Sequence, residues 1–102
     1  MKEYDLYLPL HHNDGRPIEW HKIHDLKHRL ANEFGGLTHF PQANEGVWKL
    51  GGVTFRDKIV ILRVLSDETE KAAHFFSELK KELCREWDQE DVLIVARDVV
   101  TL

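Results

Sequence analysis

Apolar residues along the 102-residue chain switch from a period of two to a helical period and back, twice. Two glycine pairs, Gly35-Gly36 and Gly51-Gly52, stand where a helix should stop and a hairpin should turn. Between the second pair and the second helical stretch lies Lys58–Leu65, β-branched and apolar at positions of both parities. Together these predict an α+β, ferredoxin-like β-α-β-β-α-β domain: an antiparallel sheet, two helices on one face, and an extra hairpin around residues 46–55. Residues 1–102 are a single domain, because the length leaves no room for a second core.

The first strand is residues 3–10, where Tyr4, Leu6, Leu8 and Leu10 alternate with Asp5, Tyr7 and Pro9. Pro9 has no N–H to give a ladder, so the strand should end there. His11 to Pro17 is a loop by its Asn-Asp-Gly content. Ile18 to Phe34 reads as a helix, with Ile23, Leu26, Leu30 and Phe34 at spacings of three, four and four. Gly35 supplies its left-handed end.

Leu37–Phe40 is then strand-like, Pro41–Glu45 a loop, and Gly46–Leu50 strand-like again. Gly51-Gly52 turns the chain into Val53–Phe55, and Arg56-Asp57 leads on to the strand at Lys58–Leu65. Ser66 or Asp67 is expected to cap the second helix, whose buried stripe is Ala72, Phe76, Leu79, Leu83 and Trp87. Asp91–Val100 forms the last strand.

Helices on one face leave the other to be explained. In the central strand Ile59, Ile61, Arg63 and Leu65 oppose Val60, Leu62 and Val64; in the last, Leu93, Val95 and Arg97 oppose Val92, Ile94 and Ala96. A sheet with one solvated face would alternate cleanly between apolar and polar, and these strands do not. The expectation is a homodimer through the sheet face, since monomers rarely leave so large an apolar patch uncovered. An arginine among isoleucine and leucine needs a partner. Arg63 therefore either pairs with a carboxylate, Asp5 being the candidate, or brings charge to a pocket enclosed between two copies.

Composition removes several classes of function. Lys+Arg number 14 against 18 Asp+Glu, a net charge of −4, and the central strand holds no Phe or Tyr to stack bases; both argue against nucleic acid. No apolar run reaches the ~20 residues of a membrane span. Lys2, Glu3 and Asp5 are charges where a signal peptide would be apolar, and the single Cys84 suits a reducing interior, so a cytoplasmic location is expected.

The seven histidines draw notice. His21, His24 and His28 fall within about 60° of one another on the first helix, beside its apolar stripe. Spacings of three and four suit imidazole pairs on a metal, but the general-base glutamate of a catalytic His helix is missing and no Cys pair exists for a structural site. The expectation is a solvated helix face with no metal and no cofactor. His11, His12 and His74 are expected at the surface, whereas His39, near Trp48 by hairpin pairing, is the one candidate general base or ligand donor. No phosphate loop, nucleophile elbow or paired carboxylates occur, and Asp88, Glu90 and Asp91 read as a solvated turn. Catalytic residues thus stay unassigned, and Tyr7, His39, Trp48 and Arg63 are the candidate ligand-binding set.

Leu6-Tyr7-Leu8-Pro9-Leu10 with Asn13-Asp14-Gly15, then Phe34-Gly35-Gly36-Leu37-Thr38, then Gly46-Val47-Trp48, resembles a group of small uncharacterised bacterial proteins. The likeness runs over most of the chain, and Phe-Gly-Gly-x-Thr followed by Gly-x-Trp is its most specific part. It implies the fold and a bacterial origin and carries no activity. In strand order and length the chain is also similar to the dimeric α+β barrel proteins, which include small monooxygenases acting on hydrophobic molecules. Three readings follow. The first is a homodimeric module binding a small hydrophobic ligand or another protein; the second is a small, cofactor-independent enzyme of the barrel kind. A third is a subunit that docks on a separate partner.

Overall fold

The computed structural model describes residues 1–102 as six elements: β1 (Lys2–Pro9), α1 (Trp20–Phe34), β2 (Thr38–Leu50), β3 (Val53–Ser66), α2 (Thr69–Glu86) and β4 (Leu93–Asp98). The sheet order is β2-β3-β1-β4 and every pairing is antiparallel. This is the β-α-β-β-α-β, α+β arrangement expected from the periodicity. No helix is long and apolar enough to cross a membrane.

Both helices cover one face. There Tyr4, Leu6 and Leu8 of β1 and Val60, Leu62 and Val64 of β3 meet Leu26 and Leu30 of α1 and Ala72, Phe76, Leu79 and Leu83 of α2, all buried. Phe76 stacks on Tyr4 at 4.3 Å between ring centroids and on Phe34 at 5.2 Å, tying both helices to the sheet. Trp87, at the end of α2, closes the stripe as its spacing predicted. Gly35 takes a left-handed φ of 84° and its N–H returns to the Ala31 carbonyl, ending α1 where the glycine pair stood.

Five details differ from the sequence reading, the first being that β4 spans only Leu93–Asp98, two residues short of the expected Asp91–Val100 at each end. α1 begins at Trp20, and Ile18 is instead a buried loop residue whose N–H reaches the Leu10 carbonyl. Neither Ser66 nor Asp67 caps α2: the Ser66 hydroxyl accepts the Glu68 N–H two residues ahead of the capping position, which falls on Glu68. β2 is one strand and not two. Its pairing shifts between Phe40 and Asn44, so that three residues face the single Val60. Pro41 lies inside that bulge on an edge strand, where a missing N–H breaks no ladder. Lastly, the His12 side chain, expected at the surface, is only 8% exposed, with Glu19 at 3.6 Å.

β3 is likewise unbroken from Val53 to Ser66. The consequence is an arm. β1 pairs with β3 no further than Pro9 opposite Ile59, while β2 and β3 stay paired out to Leu50 opposite Val53. Gly51 and Gly52, at φ of 58° and 79°, make the tip turn that a side chain would resist. The long axis of the molecule is 40 Å.

Candidate functional site

The register fixes which side chains share the uncovered face. From the arm inwards, Trp48 faces Phe55, Gly46 faces Asp57 and Asn44 faces Ile59. Pro9 then lies beside Ile59, Tyr7 lies between Ile61 and Leu93, and Asp5 lies between Arg63 and Val95. Glu3 between Leu65 and Arg97 completes the row. Side chains alternate across a strand, so this whole series points away from the helices.

Where the arm meets the sheet this face forms a groove of about 640 Å³. Tyr7, Trp48, Ile59, Ile61 and Leu93 make its apolar walls, and Asn44, Glu45, Asp57, Gln89 and Asp91 its polar ones. The Trp48 indole N–H donates to Asp57 Oδ2 at 2.8 Å, and its ring stacks on Phe55 with centroids 4.9 Å apart. That clamp fixes the indole as one wall. Glu45 is paired with Arg56 at 3.0 Å and Asp91 with Lys80 at 3.0 Å. Asp57 is thus the groove carboxylate with no basic partner, and no Lys or Arg lines the groove.

Further along the face lies a charge cluster. Asp5 is 2% exposed, yet it carries a carboxylate. Arg63 Nε and Nη2 donate to its two oxygens at 2.8 and 3.0 Å, and Arg97 Nη1 donates at 2.9 Å. Glu3 accepts from Arg97 and forms an ion pair with Arg63 at 2.9 Å. The Arg63 bonds hold the Asp5 carboxyl below the ordinary carboxylate range against the opposing effect of burial, and Arg97 adds to them. Arg63 also lies over the Phe40 ring, 5.0 Å from its centroid. The anticipated Arg63–Asp5 pair is therefore present, in the two-pronged geometry that suits a guanidinium and a carboxylate.

Of the four candidate residues, Tyr7 and Trp48 line the groove and Arg63 shares its face without lining it. His39 is not part of this site. It pairs with Leu62, a core residue, so its ring points to the helix side, with Lys27 Nζ 3.4 Å from Nδ1. Partial burial and the nearby Lys27 charge push its pKa below the ordinary 6.5. The proximity to Trp48 inferred from hairpin pairing fails on parity: position 39 takes the opposite face from 38, 40, 44, 46 and 48. His21, His24 and His28 are exposed on α1, the last two with ring centroids 4.5 Å apart. Nowhere do three His, Cys, Asp or Glu side chains gather as a ligand set.

Asp57, Asn44, Gln89, Asp91 and Leu93 escaped the sequence reading. Asp57 has the parity of Ile59 and Ile61, a signal hidden by treating Arg56-Asp57 as a lead-in to the strand. Gln89 and Asp91 sit in the α2–β4 connection, and only the tertiary fold brings them to the groove.

No protein-family model matches the chain, and no curated protein matches its sequence. Solved structures do match its fold. A phage SAM lyase in complex with S-methyl-5'-thioadenosine is similar with a TM-score of 0.69 and 17% identity, over 95% of this chain and 80% of that one. A phage SAM lyase in the apo state gives 0.70 and 17%, over 94% and 78%. At this identity the likeness is one of fold: a small α+β domain with an antiparallel sheet.

Proposed function

We propose that the chain is a small-molecule-binding module, working as a homodimer through its open sheet face, whose ligand is a cation bearing a flat ring, of the S-adenosylmethionine kind. The groove lining carries this reading: two aromatic walls, Trp48 and Tyr7, beside the carboxylate of Asp57, with no basic side chain among them. Aromatic faces and a carboxylate attract an onium charge, and the apolar walls suit a ring. A phosphate-bearing ligand would find no cation there. The structural neighbours support the class, since one of them holds S-methyl-5'-thioadenosine, a neutral relative of that cation.

Titration calorimetry with S-adenosylmethionine and with S-methyl-5'-thioadenosine tests it. The cation should bind more tightly than the neutral compound. Asp57→Asn should weaken the cation about tenfold, or ~1.4 kcal/mol, and bring the two compounds close to parity. Trp48→Ala should weaken both. Absence of binding by either compound, or an Asp57→Asn variant that keeps the full preference for the cation, refutes the reading.

A second reading is catalytic, and the observation favouring it is that both neighbours are lyases. On that reading, S-adenosylmethionine breaks between sulfur and the amino-acid chain as its own carboxylate closes on that carbon. S-methyl-5'-thioadenosine and the four-carbon amino-acid lactone leave together, and the Asp57→Asn variant releases less of both. Chromatography of the mixture decides between binding and turnover.

A further inference from the structure

The arm is amphipathic across its thickness. One side presents Trp48, Leu50, Val53 and Phe55 with the single charge of Asp57, the other Glu45, Lys49, Thr54, Arg56 and Lys58 with the single apolar Val47. Leu50 and Val53 are each more than half exposed, so the apolar strip has no cover within the chain. A two-stranded ribbon is marginal in water by itself. Past the single Gly46–Asp57 pair, the same face continues into Ile59, Ile61, Tyr7 and Leu93 of the sheet body.

We infer that this strip docks on the open face of a second copy of the chain, the arm of each lying across the sheet of the other. The inference rests on the homodimer reading above and names the element that makes it. Strand lengths and spacings give the open face roughly 700 Å² of projected area, close to the ~800 Å² per partner of a standard stable interface. The only charges in the body of that face, Glu3, Asp5, Arg63 and Arg97, cancel one another, so two such faces meet without net repulsion. The arm's polar outer side then remains in water.

Light scattering after size exclusion, at micromolar concentration, reads the outcome. The unaltered chain should have twice the monomer mass. Leu50→Lys with Val53→Lys should shift it to monomer, raising the dissociation constant at least about tenfold. These positions lie outside both the core and the groove, and circular dichroism should show the variant folded. Thr54→Lys, on the polar side of the same arm, should leave the mass unchanged. A monomer mass for the unaltered chain overturns the inference, as does an arm-tip double variant that remains dimeric. Flotation of a monomeric chain with anionic lipid vesicles would likewise overturn it, by giving the strip to lipid. Failure of the ligand reading is separate: a dimer abolished by the tip variant that binds no S-adenosylmethionine refutes the groove and upholds the arm.

Discussion

The two faces of the sheet are built from the same strands and differ in what completes them. On the helix side, Leu6, Leu8, Leu62 and Val64 are fully enclosed and their neighbours are aliphatic or aromatic. On the other, the intervening residues of the same strands, Tyr7, Ile59, Ile61 and Leu93, are only partly covered, and they are interrupted by Asp5, Asp57, Arg63 and Arg97. Close packing makes the first face intolerant of change. Incomplete cover and specific polar groups make the second one available for recognition. On the proposed reading, stability and recognition are thus divided by side-chain parity, one residue apart along each strand.

The sharpest way to break this division is a pair of truncations at adjacent positions. Leu62→Ala should cost ~2–5 kcal/mol, as large-to-small changes in a sealed core do, whereas Ile61→Ala should cost about 1 kcal/mol or less. Denaturant titration of the two variants checks it. Equal losses would mean that the open face is as structural as the closed one.

Asp5 is the exception on the open face, because its carboxylate is buried beneath two guanidiniums. Asp5→Asn should cost about 1–2 kcal/mol near neutral pH, the range of a hydrogen bond to a charged group moderated by the solvent exposure of both arginines. The sign of its pH dependence follows from linkage. The folded carboxyl titrates below its ordinary 3.8, so its stabilisation is complete above that value. It is lost as pH falls through the lower, folded value. Thermal melts below about pH 4 should show the unaltered chain losing stability more steeply than Asp5→Asn.

The smallest effect belongs to His39, which the sequence made the leading functional histidine and the fold turned inwards. Proton NMR should give it a titration midpoint below 6.5, and Lys27→Ala should move that midpoint upwards. Because the neutral form is the one the fold favours, the contribution of this ring is present above pH 6.5 and fades as pH falls through its folded value. A midpoint above 6.5 would contradict its place beneath the helices.

What could be read from the sequence tracks the range of the interactions. The stripes at Leu26–Leu30 and Ala72–Trp87, the Gly35 stop and the Gly51-Gly52 turn are local signals, and each has its expected role. The apolar second face and the Arg63–Asp5 pair were also legible, since parity alone brings Asp5 and Arg63 to one side. The bulge around Pro41 was not. A proline and a polar run look like a loop unless it is known that the strand is an edge. Of the groove's lining, Tyr7 and Trp48 were in the candidate set read from the sequence, while Gln89 and Asp91 reach it only because the α2–β4 connection folds back to the arm.

The functional division between the faces is tested most directly by mapping amide and indole NMR shifts as S-adenosylmethionine is added. The prediction is that perturbed signals cluster at Tyr7, Asn44, Asp57, Leu93 and the Trp48 indole N–H, with Leu26, Leu30, Leu79 and Leu83 unmoved. Shifts centred on the two helices, or none at all at saturating ligand, would contradict it.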